Sequence, residues 1–343
     1  MVKSLKYLGL GLLGIVLLFG TVIGGIMLWV QITWRQTFPE VPQVPIQASK
    51  DPKVIARGKY LFHAVVGCPS CHSTREDYQK IGATAPPTGG LLDFGPLGVI
   101  RPPNITNDKK TGVSTKYSDA QIARILRYGI RPDHSAVFMK FAVGPMADED
   151  LQAVISYLRT VQGITKKRKP HGFTILGKVL IRFKMPYVLE YKPKFLWKAP
   201  PFVKEGKISV ERGRYLADGP AGCFACHLTF RMSEKKKVEI VAPYGGYAEA
   251  DPDPTQPGME IAAPNLTPDP KTGHIYKWTE DQFVKRFRKG RVYKGSFMPW
   301  EALKEMTEKD LRSIYRYLKT LKPYKHDVPT YRKKGWKPGK PIH

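Results

Sequence analysis

All four cysteines of this 343-residue chain fall in two copies of Cys-x-x-Cys-His, Cys68 to His72 and Cys223 to His227. Two thiols three positions apart can each form a thioether with a vinyl group on one porphyrin edge, and the histidine that follows can then reach the iron. The expectation is two covalently bound haem c groups, held by Cys68, Cys71, Cys223 and Cys226, with His72 and His227 as proximal iron ligands. Paired Cys-x-x-Cys also builds redox dithiols and four-cysteine zinc sites. A zinc site gives no reason for a histidine after both pairs, and a redox dithiol has no need of two.

The elements that must position these motifs are written twice. ARGKYLFHAVVGCPSCH (56 to 72) matches ERGRYLADGPAGCFACH (211 to 227), with Arg57 and Arg212 each eleven residues before the first cysteine. PNITNDKKTG (103 to 112) matches PNLTPDPKTG (264 to 273), YSDAQIARILRYG (117 to 129) matches WTEDQFVKRFRKG (278 to 290), and DLQAVISYLRTV (150 to 161) matches DLRSIYRYLKTL (310 to 321). A duplication is the economical reading. Each half reads as a small helical unit. Asp51 or Ser209 can cap a first helix, with Pro52 in a tolerated first-turn position. Ser118 and Thr279 can cap a middle helix that ends at Gly129 or Gly290, with apolar faces at Ile122, Ala123 and Leu126, and at Phe283, Val284 and Phe287. A last helix carries Leu151, Val154, Tyr157 and Leu158, or Leu311, Ile314, Tyr317 and Leu318.

A second iron ligand should come from the loop between the middle and last helices. In the second half GSFMPW offers Met298; in the first, SAVFMKF offers Met139 and VGPMAD offers Met146. Counted back from Asp150 and Asp310, Met139 matches Met298 within one residue and Met146 matches Met306, so the repeat selects Met139 and leaves Met146 as the fallback.

The order of these motifs resembles the multihaem cytochrome c subunits of membrane-bound bacterial alcohol and gluconate dehydrogenases, over about residues 51 to 162 and 207 to 322. That family typically has one haem domain more than the two read here, and commonly places Pro after the distal Met: Met298-Pro299 keeps this, whereas Lys140 follows Met139. The resemblance implies an all-α fold of two cytochrome c-like haem domains in tandem, with axial His72 and Met139 in one and His227 and Met298 in the other. It also implies outer-sphere electron transfer, with catalysis left to a partner subunit. A dihaem peroxidase and a dihaem subunit of a terminal oxidase are the alternatives; a thiosulfate-oxidising enzyme with a distal cysteine lacks the fifth cysteine it would need.

Residues 7 to 30 carry no charge and are long enough to cross a bilayer. A cleaved signal peptide is the alternative, but its apolar region would be shorter and followed by a small-residue cleavage site; we read them instead as an uncleaved single-pass anchor in the bacterial cytoplasmic membrane, with the haem domains on the periplasmic side where c-type haem is attached. The chain then divides into an anchor (1–33), a Pro-rich spacer (34–50) holding the domains off the membrane, cytochrome domain 1 (51–162), a basic connector (163–206), cytochrome domain 2 (207–322) and a basic tail (323–343). Lys plus Arg number 56 against 29 acidic residues, a formal net charge of +27. In a periplasmic protein this suits acidic redox partners or anionic lipid rather than nucleic acid. The apolar pieces FTILGKVLIRF (173 to 183) and YVLEY (187 to 191) are too short and too charged to span a membrane and should pack on the haem domains or a partner. YGGYAEADPDPTQPGMEI (244 to 261) reads as an inserted surface excursion.

Three further readings concern neighbours of the haem motifs. Asn104, Thr106 and Asp108, with Asn265, Thr267 and Asp269, supply oxygens that could bind calcium, but a turn satisfying its own backbone is the better reading. Arg57 and Arg212 could reach haem propionates or lie exposed. His63, His134, His171, His274, His326 and His343 have no counterparts between the repeats and read as surface or structural residues.

Overall fold

The computed structural model describes residues 2–35, 37–137, 145–167, 169–170, 172–183, 200–232, 238–253 and 255–336. The chain begins with one long helix, α1 (Val2–Thr33). In the first half come α2 (Pro52–Tyr60), which runs into a π-helical turn at Leu61–Val65, then α3 (Pro69–His72), α4 (Arg75–Ile81), strands β1 (Leu92–Asp93) and β2 (Gly98–Ile100), α5 (Asp119–Tyr128) and α6 (Asp148–Leu158). The connector supplies β3 (Gly172–Phe173) and α7 (Ile175–Arg182). The second half holds α8 (Val210–Asp218), α9 (Cys223–His227), β4 (Thr229–Met232), β5 (Val238–Ala242), β6 (Tyr247–Pro252), β7 (Met259–Ala263), α10 (Glu280–Arg288), α11 (Trp300–Leu303) and α12 (Glu308–Lys319), followed by β8 (Tyr331–Lys333).

The helix ends are set by the residues expected to set them. Asp51 accepts from Lys53 N (2.8 Å) and Ser209 from Arg212 N (3.1 Å). Ser118 with Gln121, and Thr279 with Gln282, form reciprocal capping boxes, each satisfying two donors that a helix start leaves without intrahelical partners. Gly129 and Gly290 adopt φ of 68° and 67°, the left-handed conformation that stops a helix cheaply. In each half the first helix crosses the last at backbone contact. A Cβ on Gly58 would lie 1.8 Å from the Ala153 carbonyl oxygen, and one on Gly213 would lie 1.8 Å from that of Ser313. The apolar faces of both halves merge into one core that includes Leu61, Phe62, Val154 and Ile122 with Leu216, Phe287, Ile314 and Trp300.

Polar contacts cross between the halves in mirrored pairs. Arg57 Nε bonds Asp150 Oδ1 at 3.0 Å, and Arg212 Nε bonds Asp310 Oδ1 at 2.9 Å. The Tyr60 hydroxyl donates to Asp310 (2.7 Å) and accepts from Thr307 N (3.1 Å), while the Tyr215 hydroxyl donates to Asp150 (2.6 Å) and accepts from Ala147 N (3.2 Å). Each ion pair is therefore completed by a tyrosine from the opposite half. Arg57 and Arg212 point inward to these aspartates, which displaces both the propionate and the exposed reading.

Three small antiparallel sheets correct the all-α expectation: β1-β2-β3, β4-β5 and β6-β7-β8. The segment 244–261 contributes a long hairpin whose counterpart in the first half is the short pair β1 and β2. Both hairpins gain a third strand from the chain beyond the last helix, Gly172–Phe173 or Tyr331–Lys333. The basic tail is thus docked through its first residues. The Pro-rich segment is extended, as its composition suggests, but it does not stand clear of the first half. Val41 and Val44 are buried, Ala48 N donates to Asp119 (2.7 Å), and the buried Arg124 donates to the Val41 carbonyl (2.8 Å). With no glycine between 34 and 50 and φ fixed at three prolines, the segment lies flat along α5 and α6.

Candidate haem-binding sites

Each Cys-x-x-Cys-His folds as a single helical turn, so both sulfurs and the imidazole leave one short arc of backbone. His72 N donates to Cys68 O at 3.0 Å in the first turn. Cys68, Cys223 and Met298 all pack at the edge of the common core. Burial pushes the Cys68 and Cys223 thiols up to about 12 and raises Cys71 and Cys226 as well, so none is poised as a thiolate. A redox dithiol needs the opposite shift. Among the described residues no three His, Cys, Asp or Glu side chains converge on a point that could hold a metal ion.

The histidines are oriented by the loop with the Pro-Asn-Ile/Leu-Thr motif. His72 Nδ1 is 2.8 Å from the Pro103 carbonyl oxygen and His227 Nδ1 is 2.9 Å from that of Pro264. A carbonyl can only accept, so Nδ1 carries the proton and Nε2 keeps its lone pair, the tautomer an iron ligand requires. Burial holds His227 down at about 4, and the ring is neutral at physiological pH. Two cysteine sulfurs beside one imidazole oriented through Nδ1 fit a covalently attached haem in both halves.

The loop presenting those carbonyls is held by its own side chains. Asn104 Oδ1 accepts from Thr106 N and Oγ1 (3.0 and 2.7 Å), and Asp108 Oδ1 accepts from Thr111 N and Oγ1 (2.6 and 2.7 Å). Asn265, Thr267, Asp269 and Thr272 repeat the arrangement. The Thr111 and Thr165 hydroxyls and the Thr111 N–H hold the Asp108 carboxyl down at about 2. These oxygens are engaged in the turn, which holds the Pro103 and Pro264 carbonyls against the imidazoles.

Met298 is half-buried in the loop before α11, where its carbonyl accepts from Trp300 N (2.8 Å). Arg291 ties the base of that loop to Glu301 through two bonds of 2.7 Å. Met139 lies outside the described residues. Met146 and Met306 are both buried in the core, and each carbonyl accepts from an arginine of the middle helix, Arg127 (3.2 Å) or Arg288 (2.7 Å). They are the same position in the two halves. The unrepeated histidines have structural partners: His63 bonds Ala83 O and the Tyr157 hydroxyl (both 2.7 Å), His134 meets Arg124 (3.2 Å), His326 bonds Gly245 O (2.8 Å), and the His274 ring tilts against Trp278. His171 and His343 lie outside the described residues, as does the 187–191 stretch. The positioning residues that sequence reasoning missed are Pro103 and Pro264. Their signal was a proline preceding the repeated Asn in both halves.

Comparison with known proteins agrees with this chemistry. The cytochrome c family model matches residues 55–162. The cytochrome c subunit of a quinone alcohol dehydrogenase from Gluconacetobacter polyoxogenes is 29% identical over 80% of this chain and 57% of its own length. The gluconate 2-dehydrogenase cytochrome c subunit of Pantoea cypripedii is 26% identical over 78% of this chain and 59% of its own. A diheme cytochrome c-type protein of Cereibacter sphaeroides is 26% identical over 78% of this chain and 85% of its own. The chain spans little more than half the length of the two dehydrogenase subunits. Residues 55–162 match the cytochrome c family model, and about four-fifths of the chain is similar to the cytochrome c subunits of alcohol and gluconate dehydrogenases.

Proposed function

We propose that the chain is a membrane-anchored dihaem cytochrome c that carries electrons by outer-sphere transfer between a dehydrogenase partner and a respiratory acceptor. The observation that carries this reading is the matched anchoring of His72 on Pro103 and His227 on Pro264, which gives the second half the same ligand geometry as the first. Haem c supplies a reversible one-electron couple, tuned by its axial ligands. Cys68, Cys71 and His72 hold one haem, and Cys223, Cys226 and His227 the other. Met298 and Met139 would supply the thioether ligands to the irons. The Pro103 and Pro264 carbonyls orient the two imidazoles through Nδ1, and no substrate is turned over on this chain.

The anchor is α1, whose segment Gly9–Thr33 is long and apolar enough to cross a membrane. It leaves both halves on the periplasmic side of the cytoplasmic membrane, where the excess of basic residues favours partners with acidic docking faces.

Two measurements test the assignment. Pyridine haemochrome titration should give two haems per chain, and one in Cys223→Ala/Cys226→Ala; a single haem in the unaltered protein would remove the second site. Met298→Ala should abolish the sulfur-to-iron charge-transfer band of one haem and Met139→Ala that of the other. Met146→Ala should spare both, since Met146 shares the buried position of Met306. Loss of a band in Met146→Ala with Met139→Ala unaffected would reverse the choice in the first half.

A further inference from the structure

Helix α7 is held against the outer end of α1, and one of its faces is apolar and open. Lys178 Nζ donates to Gln31 Oε1 (2.8 Å) and Arg182 Nε to Thr33 Oγ1 (3.1 Å). The Arg182 guanidinium lies 4.4 Å from the centre of the Trp29 ring, and the Phe183 ring is 6.0 Å from the same indole. Lys178 and Arg35 stand 5.8 and 5.2 Å from the Trp34 ring. On its other side α7 is clamped to the first half. Its cap Thr174 donates to Pro96 O (2.7 Å), and a Cβ on Gly177 would come within 2.2 Å of Leu97 O.

Length decides where the bilayer surface falls. Gly9–Thr33 is 25 residues, about 38 Å of helix at ~1.5 Å per residue, against a hydrocarbon core of about 30 Å. With Gly9 at one boundary, the surplus of about five residues puts Trp29 to Thr33 among the headgroups, where Trp, Lys and Arg concentrate. Those are the residues α7 touches. Leu176 on α7 and Phe183 at its C-cap are 47% and 55% exposed, and Ile175 beside Leu176 is 38% exposed. The face is continuous with the membrane-spanning helix and is bordered by cations, the combination that places a helix in the plane of a membrane interface.

We propose that α7 is a second membrane contact, lying along the lipid–water boundary. Leu176 and Phe183 sit among the upper acyl chains, with Lys178 and Arg182 at the level of the phosphates. Clamped at once to the span, the lipid and the first half, it sets the height and tilt of the haem-bearing part above the bilayer. The inference rests on α1 being a membrane span, and the test separates the two. The full chain is reconstituted into phosphatidylethanolamine and phosphatidylglycerol vesicles containing a phospholipid with an acyl-chain diazirine, illuminated, and mapped by peptide mass spectrometry. Adducts are expected on α1 and on 172–183, and Leu176→Glu/Phe183→Glu should cut labelling of 172–183 by about five-fold or more while α1 is unchanged. Labelling of α1 without 172–183, or labelling of 172–183 that the double substitution leaves intact, overturns the inference and spares the span. An unlabelled α1 overturns the span, and the inference with it.

Discussion

Replacing Asp310 with alanine is expected to destabilise the folded chain by about 3–5 kcal/mol, the cost of stranding one member of a buried ion pair. The Arg212 side chain is 1% exposed, and the substitution leaves it the Val203 carbonyl at 2.7 Å in place of a carboxylate. It also deprives the Tyr60 hydroxyl, from the other half, of its acceptor. The mirrored substitution Asp150→Ala should cost less, because Arg57 keeps a second carboxylate, Glu205, and sits closer to solvent. Tyr60→Phe alone removes a bond to a charged group, about 1.5–3 kcal/mol, and should add little once Asp310 is gone. Unfolding midpoints followed separately by helix dichroism and haem absorbance would test the ordering, since a chain with a tethered cofactor need not unfold in one step. Equal losses for Asp310→Ala and Asp150→Ala would show that Glu205 does not compensate Arg57, and full additivity with Tyr60→Phe would show that the crossed contact carries no energy.

Gly213→Ala should be the most damaging single methyl group in the second half. In an exposed helix the same change stabilises by about 1 kcal/mol, because alanine is the better helix former. Here the new carbon would lie 1.8 Å from the Ser313 oxygen and 2.4 Å from its carbonyl carbon, and backbone has no rotamer through which to yield. α8 and α12 must part, opening the core around Leu216 and Ile314, so the cost is expected at or above the top of the ~1–3 kcal/mol range for overpacking. Because α9 follows α8 after four residues, the second haem should be lost preferentially, read as a fall from two haems to one by pyridine haemochrome. Gly58→Ala should do the same to the first half. A variant with an unchanged melting point and both haems would mean that the helices do not meet as described.

What could be read from the amino acids was whatever recurs locally. The caps at Asp51, Ser209, Ser118 and Thr279, the stops at Gly129 and Gly290, and the buried stripes through Leu151 and Leu311 depend on neighbours within a turn or two, so periodicity and residue type were enough. The strands escaped for the opposite reason. β2 pairs with β3 through Gly98 and Phe173, far apart in sequence, and the first-half strands run only two or three residues, too short to alternate visibly. Arg57 and Arg212 were misjudged because an arginine's partner cannot be seen from its own surroundings. Yet Asp150 and Asp310 recur just as faithfully, and a cation and an anion kept at matching places in both repeats is the signature of a pair. Likewise the distal residue of the first half was chosen only by counting, and what the fold adds is the shared burial of Met146 and Met306.

Tyr60 reaching Asp310 while Tyr215 reaches Asp150 is an isologous contact, in which the same patch on each side is complementary to itself. Such a patch is what two identical subunits use to close a dimer about a two-fold axis. Carried twice within one chain, such a patch closes on itself intramolecularly, so the seam holds however dilute the protein is.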